Sequence, residues 1–290
     1  MRRPGLTHAE GETAMEKLEF TKMHGCGNDY VYVDCFRQTV KEPEALARRL
    51  SDRHKGVGGD GLILICPSDA ADAKMRMFNA DGSEGKMCGN GVRCVAEYLF
   101  RHGYVQGSTV NIETLAGIKH IVRKAPGRLT VDMGAPLFEP KKIPLAGFEA
   151  PAVGVQLLAD EARLRMTCVS MGNPHCVIFV ADPGAVDLPR LGGKLERSAW
   201  FPEGVNTEFV HREDATHLTM RVWERGSGET MACGTGACAS VAAAVQNGLC
   251  ARNTDVEVRL LGGVLTIRWT EDTILMTGEA VEVFTGTVEI

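Results

Sequence analysis

The sequence predicts an α+β fold of two pseudo-symmetric halves, each a curved, mostly antiparallel sheet around a central helix. Three observations lead there. Landmark motifs recur at one fixed spacing along the chain. Short runs with period-two alternation outnumber helical ones. Each half holds one long apolar helical run that starts at a Cys-Gly-x-Gly turn.

The repeat comes first because it sets the architecture. Gly27-Asn28 precedes the run YVYVDCF, and Gly172-Asn173 precedes CVIFVAD. Met75-Arg76-Met77-Phe78 matches Met220-Arg221-Val222-Trp223, and Cys88-Gly89-Asn90-Gly91 matches Cys233-Gly234-Thr235-Gly236. All three pairs are separated by 145 positions. Val131-Asp132-Met133-Gly134 resembles Leu275-Met276-Thr277-Gly278, one position off that spacing. Residues 17–149 therefore read as one half and 150–290 as the other. The proline-rich stretch APLFEPKKIPLAGFEAP joins them, without a long flexible linker. Residues 1–16 read as a polar, disordered extension in which Met15 is an alternative start.

Strands are predicted from alternating β-branched and apolar residues. In the first half they are YVYVDCF, GLILICP, KMRMF, TVNIET, HIVRKA and RLTVDM. In the second they are CVIFV, NTEFV, LTMRVW, DVEVRLL, GVLTIRW and TILMTG. Helices are predicted over Pro43–Leu50, Gly91–His102 and Gly236–Gly248. The last is alanine-rich and apolar all round, which suits a helix enclosed on every side, with Gly248 as its stop.

Composition narrows the function classes. Net charge is −5, and basic residues are scattered with no run longer than a pair, so neither nucleic acid nor an anionic membrane is an expected partner. No stretch is long and apolar enough to span a bilayer. The first residues carry two arginines but no apolar segment, so they do not read as a secretory signal, and a cytoplasmic location is expected. Ten cysteines in a chain of 290 residues, with neither CxxC nor HxxxH pairs, fit neither a disulfide scaffold nor a zinc site. Most lie in apolar runs and read as small buried side chains, Cys94 and Cys238 among them.

Cys88 and Cys233 differ from the others. Each stands before a Gly-x-Gly turn and then a helix. The free amides of a helix start favour thiolate over thiol, which should lower the cysteine pKa, and they also make a seat for a carboxylate. If the halves pack face to face, the two cysteines flank one cavity. Matched acid–base groups on opposite faces of one carbon are what racemisation requires: one thiolate takes the α-proton and the opposite thiol returns one.

Five strings, KMHGCGND, FNADGSEGKMCGNGVRC, SMGNPHCV, NTEF and ERGSGETMACGTGACA, resemble the diaminopimelate epimerase family in the family's order. The resemblance runs from about residue 17 to the C-terminus. It implies an enzyme independent of pyridoxal phosphate and of metals. It further implies interconversion of LL- and meso-diaminopimelate in lysine and cell-wall precursor biosynthesis, and a homodimer. Carried over by position, Cys88 and Cys233 are the acid–base pair. Gly89, Asn90, Gly234 and Thr235 would hold the reacting carboxylate. Asn28, Asn79, Asn173, Asn206 and Arg225 would contact substrate, with Arg225 on the distal carboxylate. Glu224 would face the reacting ammonium, and Glu224 and His175 would tune the cysteines. Some members carry a glutamine where this chain has Gly61, and Gly-Thr replaces Gly-Ser after the second cysteine. The rival readings are a histidine, proline or hydroxyproline racemase, a thiol redox switch, and a non-catalytic amino-acid-binding protein.

Overall fold

Gly27 (φ 76°) and Gly172 (φ 93°) adopt left-handed backbone conformations, and at each the chain reverses between the first two strands of a half. This computed structural model of the chain describes residues 17–159 and 162–290; the expectation for residues 1–16 lies outside them. From the first turn, β1 (Lys17–Gly25) runs antiparallel to β2 (Asn28–Asp34). The helix α1 (Pro43–Ser51), β3 (Gly61–Cys66), β4 (Ala73–Asn79) and the short β5 (Glu84–Gly85) follow. Then come α2 (Gly89–Arg101), β6 (Thr109–Thr114), β7 (Gly117–Ala125) and β8 (Arg128–Asp132).

The second half repeats this order. After β9 (Val155–Ala159) come β10 (Ala162–Ser170), β11 (Pro174–Phe179), α3 (Leu188–Glu196), β12 (Asn206–Arg212), β13 (His217–Glu224) and β14 (Gly228–Glu229). Next are α4 (Gly234–Gln246), β15 (Val256–Leu260), β16 (Gly263–Trp269), β17 (Ile274–Glu279) and β18 (Val281–Glu289). The bounds of α1 and α3, of α2 and α4, and of β1 and β10 each differ by the same 145 positions. The antiparallel pairing is interrupted by the parallel pairs β2–β3 and β4–β6, with counterparts β11–β12 and β13–β15. Each half's first strand is flanked by the strand that follows the other half: β18 pairs with β1, and β9 with β10.

The halves join through β8 and β17, which are antiparallel with Val131 opposite Met276. These two residues are themselves 145 positions apart, so the pseudo-two-fold axis passes between them. The spacing lengthens by one position at β6 and β15, where Ala73 opposite Ile112 corresponds to Leu218 opposite Val258, and returns to 145 at β8 and β17, so the slip read from the VDMG and LMTG strings disappears there. Thr130 and Thr277 share a 2.7 Å hydroxyl contact beside the axis. The proline-rich join is ordered: it forms a 3-10 turn at Pro140–Lys142 and buries Ile143 and Leu145 in the core beneath α3.

Helices α2 and α4 lie within one continuous core shared by both halves, while α1 and α3 each cover a separate outer core. α2 fills its sheet with Val92, Val95, Leu99 and Phe100, as its apolar positions predict. α4 is buried by backbone closeness instead, with Ala237, Ala239, Ala242, Ala243 and Ala244 almost fully covered. α3 was not predicted from sequence, because Gly192-Gly193 argues against a helix. The glycines serve packing: a Cβ at Gly192 would stand 2.5 Å from Trp223.

Leu99 and Ala244 occupy equivalent positions in differently shaped enclosures, and both are 0% exposed. Leu99→Ala should cost about 2–5 kcal/mol through the cavity it leaves. Ala244→Leu should cost about 1–3 kcal/mol through overpacking. Each change copies the residue of the other half. Urea unfolding that left either variant as stable as the parent would contradict this packing.

Candidate active site

The chain reaches the site at two helix starts. Cys88 is the N-cap of α2 and Cys233 the N-cap of α4, so both helices begin two residues earlier than the sequence suggested. Each sulfur sits over its own first turn: Cys88 Sγ accepts from Gly91 N at 3.3 Å and Cys233 Sγ from Gly236 N at 3.4 Å. The two turns meet at the pseudo-two-fold axis. A Cβ at Gly89 would lie 2.8 Å from Met276 Cε, and one at Gly234 would lie 3.0 Å from Met276 Sδ and 3.7 Å from Asn90 Oδ1. Glycine at both positions lets the two helix starts close on one methionine.

Around Cys88 the first half supplies amides and a phenol. The thiol donates to Asn28 Oδ1 at 3.2 Å, and the Tyr30 hydroxyl also reaches it. Asn28 Nδ2 donates to Asp60 Oδ2 at 2.7 Å, which fixes which end of the amide faces the sulfur. Asp60 is in turn held by Arg53 at 3.0 Å, and the neighbouring Asp29 by Arg53 and Lys22. Asn90 Oδ1 accepts from Arg93, whose guanidinium is fully buried and also donates to the carbonyls of Gly89 and Glu279. Arg93 thereby braces the first turn of α2 from behind.

Around Cys233 the second half supplies charge. Glu224 accepts from Thr230 and from the Cys233 thiol. Asn173 Nδ2 donates to Thr235 Oγ1 at 3.3 Å, and Thr235 Oγ1 lies 3.5 Å from Cys233 Sγ. His175 is fully buried one step back, with Nδ1 2.7 Å from Glu208 Oε1 and Nε2 3.1 Å from Asn173 Oδ1. Glu208 lies against the α4 turn, since a Cβ at Gly236 would be 2.7 Å from its Oε1; its buried Oε2 has no hydrogen-bond partner among the described residues. Tyr30 and Ile63 stand at the positions equivalent to His175 and Glu208. At these two positions the first half carries a phenol and an aliphatic side chain, and the second half a buried His–Glu pair.

Other predicted residues lie farther out. Asn79 Nδ2 donates to Ser83 at 2.9 Å, and Asn206 Oδ1 accepts from Arg225 N at 2.8 Å. The exposed Arg225 guanidinium donates to the Glu203 carbonyl at 2.8 Å. At Gly61 a Cβ would fall 2.1 Å from the Phe78 carbonyl and 2.9 Å from the Tyr30 ring, so this backbone admits no glutamine there. Glu208, Asp60, Arg93, Tyr30 and Met276 were not singled out from sequence. The available signal was an acidic residue in an otherwise apolar strand for Glu208, and a charge inside an apolar helix for Arg93. Among the described residues, no three His, Cys, Asp or Glu side chains are grouped to hold a metal.

The electrostatics correct one expectation. Burial pushes the Cys88 thiol above its ordinary value despite hydrogen bonds from Gly91, Tyr30 and Asn90, and the Glu224 charge pushes the same way. Burial raises Cys233 further, with Glu224 and Glu208 adding to it against the hydrogen bonds from Thr235 and Gly236. Helix-start amides lower both thiols as predicted, but desolvation outweighs them. Burial likewise raises Glu224 and Glu208, offset in part by Thr230 and Cys233 for the first and by His175 for the second.

A family model described as diaminopimelate epimerase matches residues 20–139 and 167–283, one segment in each half. The chain is 49% identical over 279 residues to the diaminopimelate epimerase of Acetivibrio thermocellus, covering 94% of this chain and 99% of that one. It is 46% identical over 279 residues to that of Methanococcus maripaludis, covering 94% and 100%. Among solved structures, a probable proline racemase from Agrobacterium radiobacter with bound carbonate shares the fold at TM-score 0.71 and 16% identity, over 94% of this chain and 93% of that one. A phenazine biosynthesis protein of the PhzF family from Bacillus anthracis shares it at TM-score 0.68 and 21% identity, over 95% and 100%.

Glu208 gives a stability test. Its folded value is raised above the ordinary 4.5, so the stability it contributes is complete below that pH and is lost as pH rises through the folded value. Glu208→Gln removes this dependence. The unfolding free energy of the parent minus that of the variant should therefore fall from pH 4 to pH 8 in urea melts; a difference that is constant or grows would refute the assignment.

Proposed function

The chain belongs to the diaminopimelate epimerase family, and on that premise we propose that it interconverts LL- and meso-2,6-diaminopimelate by proton transfer between Cys88 and Cys233, in lysine and peptidoglycan precursor biosynthesis. One observation carries the mechanism: two N-cap cysteines, related by the internal two-fold, converge at adjoining helix starts while the Glu224 charge acts on both thiols.

The reacting α-carboxylate fits between the two helix starts, at the backbone amides of Gly89, Asn90, Gly234 and Thr235. Removing the α-proton pushes charge into that carboxylate, and two convergent helix starts stabilise the planar, enolate-like species. In the absence of substrate both thiols hold their protons, because burial and Glu224 disfavour thiolate. An α-ammonium placed beside Glu224 offsets that charge and so eases ionisation of one cysteine as substrate binds, its proton leaving to solvent. That thiolate takes the α-proton, and the opposite thiol delivers its own to the other face. The roles reverse for the reverse reaction.

Asn28 and Asn173 orient the sulfurs and the carboxylate cradle, and His175 tunes Cys233 through Asn173 and Glu208. Asn79, Asn206 and Arg225 form the outer part of the site. Arg225 leaves the Glu203 carbonyl to make a forked contact with the distal carboxylate. No metal or pyridoxal phosphate takes part in this scheme. A cytoplasmic setting fits ten cysteines none of which is in a disulfide. A homodimer fits the edge strand β18, which exposes Val283 and Phe284 and pairs with β1 alone among the described residues.

The direct test uses LL-diaminopimelate in D2O with a reductant and no added cofactor. Deuterium should enter at one α-carbon as the meso isomer appears; absence of both would end the epimerase reading. Cys88→Ala and Cys233→Ala should each lower turnover by at least about 10²-fold while the far-ultraviolet circular dichroism is retained. Near-parental turnover in either variant would remove that cysteine from the proposed pair. Arg225→Met should raise KM for diaminopimelate far more than it lowers kcat.

A further inference from the structure

Outside the site, two pairs of neighbouring cysteines have no role in the reaction: Cys168 and Cys176, opposite each other across β10 and β11 and fully buried, and Cys35 and Cys66, which are partly exposed. Cys35 follows β2 and Cys66 ends β3, two parallel strands whose last paired residues are Asp34 and Ile65. Cys35 N donates to the Ile65 carbonyl at 2.8 Å, which continues the ladder by one residue and sets the two cysteines side by side. Neighbouring strands are about 4.8 Å apart, within the span a disulfide bridges. Each thiol acts on the ionisation of the other, and both are half-buried rather than enclosed. They lie at the edge of the outer core under α1, at the far ends of the strands whose starts carry Asn28 and Gly61.

Two cations flank this pair, Lys74 paired with Glu113 and Arg76 with Glu84. Lys74 is directly opposite Cys66 in the antiparallel β3–β4 ladder, and Arg76 is opposite Leu64, one step along the same face. The contact with Cys35 lowers the Cys66 thiol, and the charges of Arg76 and Lys74 act in the same direction. Cys35 is raised by that same contact and by burial, so it keeps the proton. Cys88 and Cys233, by contrast, are both raised. The equivalent positions in the second half are Val180 and His211, so the pair is no part of the duplicated machinery.

We propose that Cys35 and Cys66 form a second, non-catalytic dithiol that a hydroperoxide oxidises to a disulfide before it reaches Cys88 and Cys233. The Cys66 thiolate attacks the peroxide O–O bond, forming Cys66–SOH and releasing hydroxide. The Cys35 sulfur then attacks Cys66: the S–S bond forms, the S–O bond breaks, and the departing hydroxide leaves as water with the Cys35 proton. Two thiols lose two electrons, and hydrogen peroxide is reduced to two waters.

The full-length, fully reduced protein is treated with one equivalent of hydrogen peroxide, then alkylated and mapped by mass spectrometry. The first product should weigh about 2 Da less and contain a peptide joining residues 35 and 66, with Cys88 and Cys233 alkylated as reduced thiols. In Cys35→Ser, Cys66 should stop at a sulfenic acid that dimedone captures; in Cys66→Ser, Cys35 should remain a thiol. A first cross-link between Cys88 and Cys233 would overturn the proposal. So would dimedone labelling of Cys35 in Cys66→Ser, or oxidation of Cys66 in the parent with no bridge to Cys35.

Discussion

The antiparallel contact of β8 with β17, centred on Val131 and Met276, is the constraint from which the rest of the molecule follows. It places the internal two-fold between two side chains and so decides where everything related by 145 positions must meet. Met276 then acts as a spacer between the first turns of α2 and α4. Glycine at positions 89 and 234 lets both turns approach it with the methionine in place; a Cβ at either would press on the end of the Met276 side chain. The shared core around α2 and α4 is thus both the main body of buried apolar surface and the device that sets the spacing of the site.

Symmetry of backbone does not extend to chemistry. Tyr30 and Ile63 back the first cysteine, and His175 and Glu208 back the second. Asn79 faces Glu224 across the two-fold, and Gly61 faces Asn206. A symmetric reagent at the centre, two thiols over two helix starts, is set in asymmetric surroundings. That suits a ligand with one reacting centre and one distal group. The buried His175–Glu208 pair costs desolvation. It stands behind Asn173 and Thr235, in contacts that Tyr30 and Ile63 do not copy in the first half.

The competition between helix-start amides and burial decides the resting state of the thiols. Amides within hydrogen-bond distance favour thiolate, yet a closed, dry setting with two raised carboxyls favours thiol. Burial prevails, so both thiols hold their protons. In the proposed mechanism the ligand's own charge becomes part of the site, where an ammonium beside Glu224 would complete an electrostatic set that the protein alone leaves unbalanced.

Much of this was legible in the chain itself. Periodic apolar runs mark the strands, because alternation reports which face is buried. The fixed spacing of Gly-Asn, Met-Arg and Cys-Gly-x-Gly motifs shows the duplication, because equivalent turns need the same residues. Cys88 and Cys233 follow from that spacing, as do their helices. The helix over Leu188–Glu196 was hidden, since glycines that oppose a helix locally are required there by Trp223 from a distant strand. Arg93, Asp60 and Glu208 were hidden for a similar reason: a charge in a sequence does not disclose that it will be set against a carbonyl, an asparagine or a histidine. The sequence alone determined the α+β class, the internal repeat and the two cysteines at helix starts, all of which depend on local pattern. Only the tertiary structure decided that the helix starts meet at Met276, that a buried His–Glu pair stands behind one cysteine and not the other, and that burial overrides the helix amides. Those outcomes depend on contacts between residues far apart in the chain and on the exclusion of water that such contacts bring.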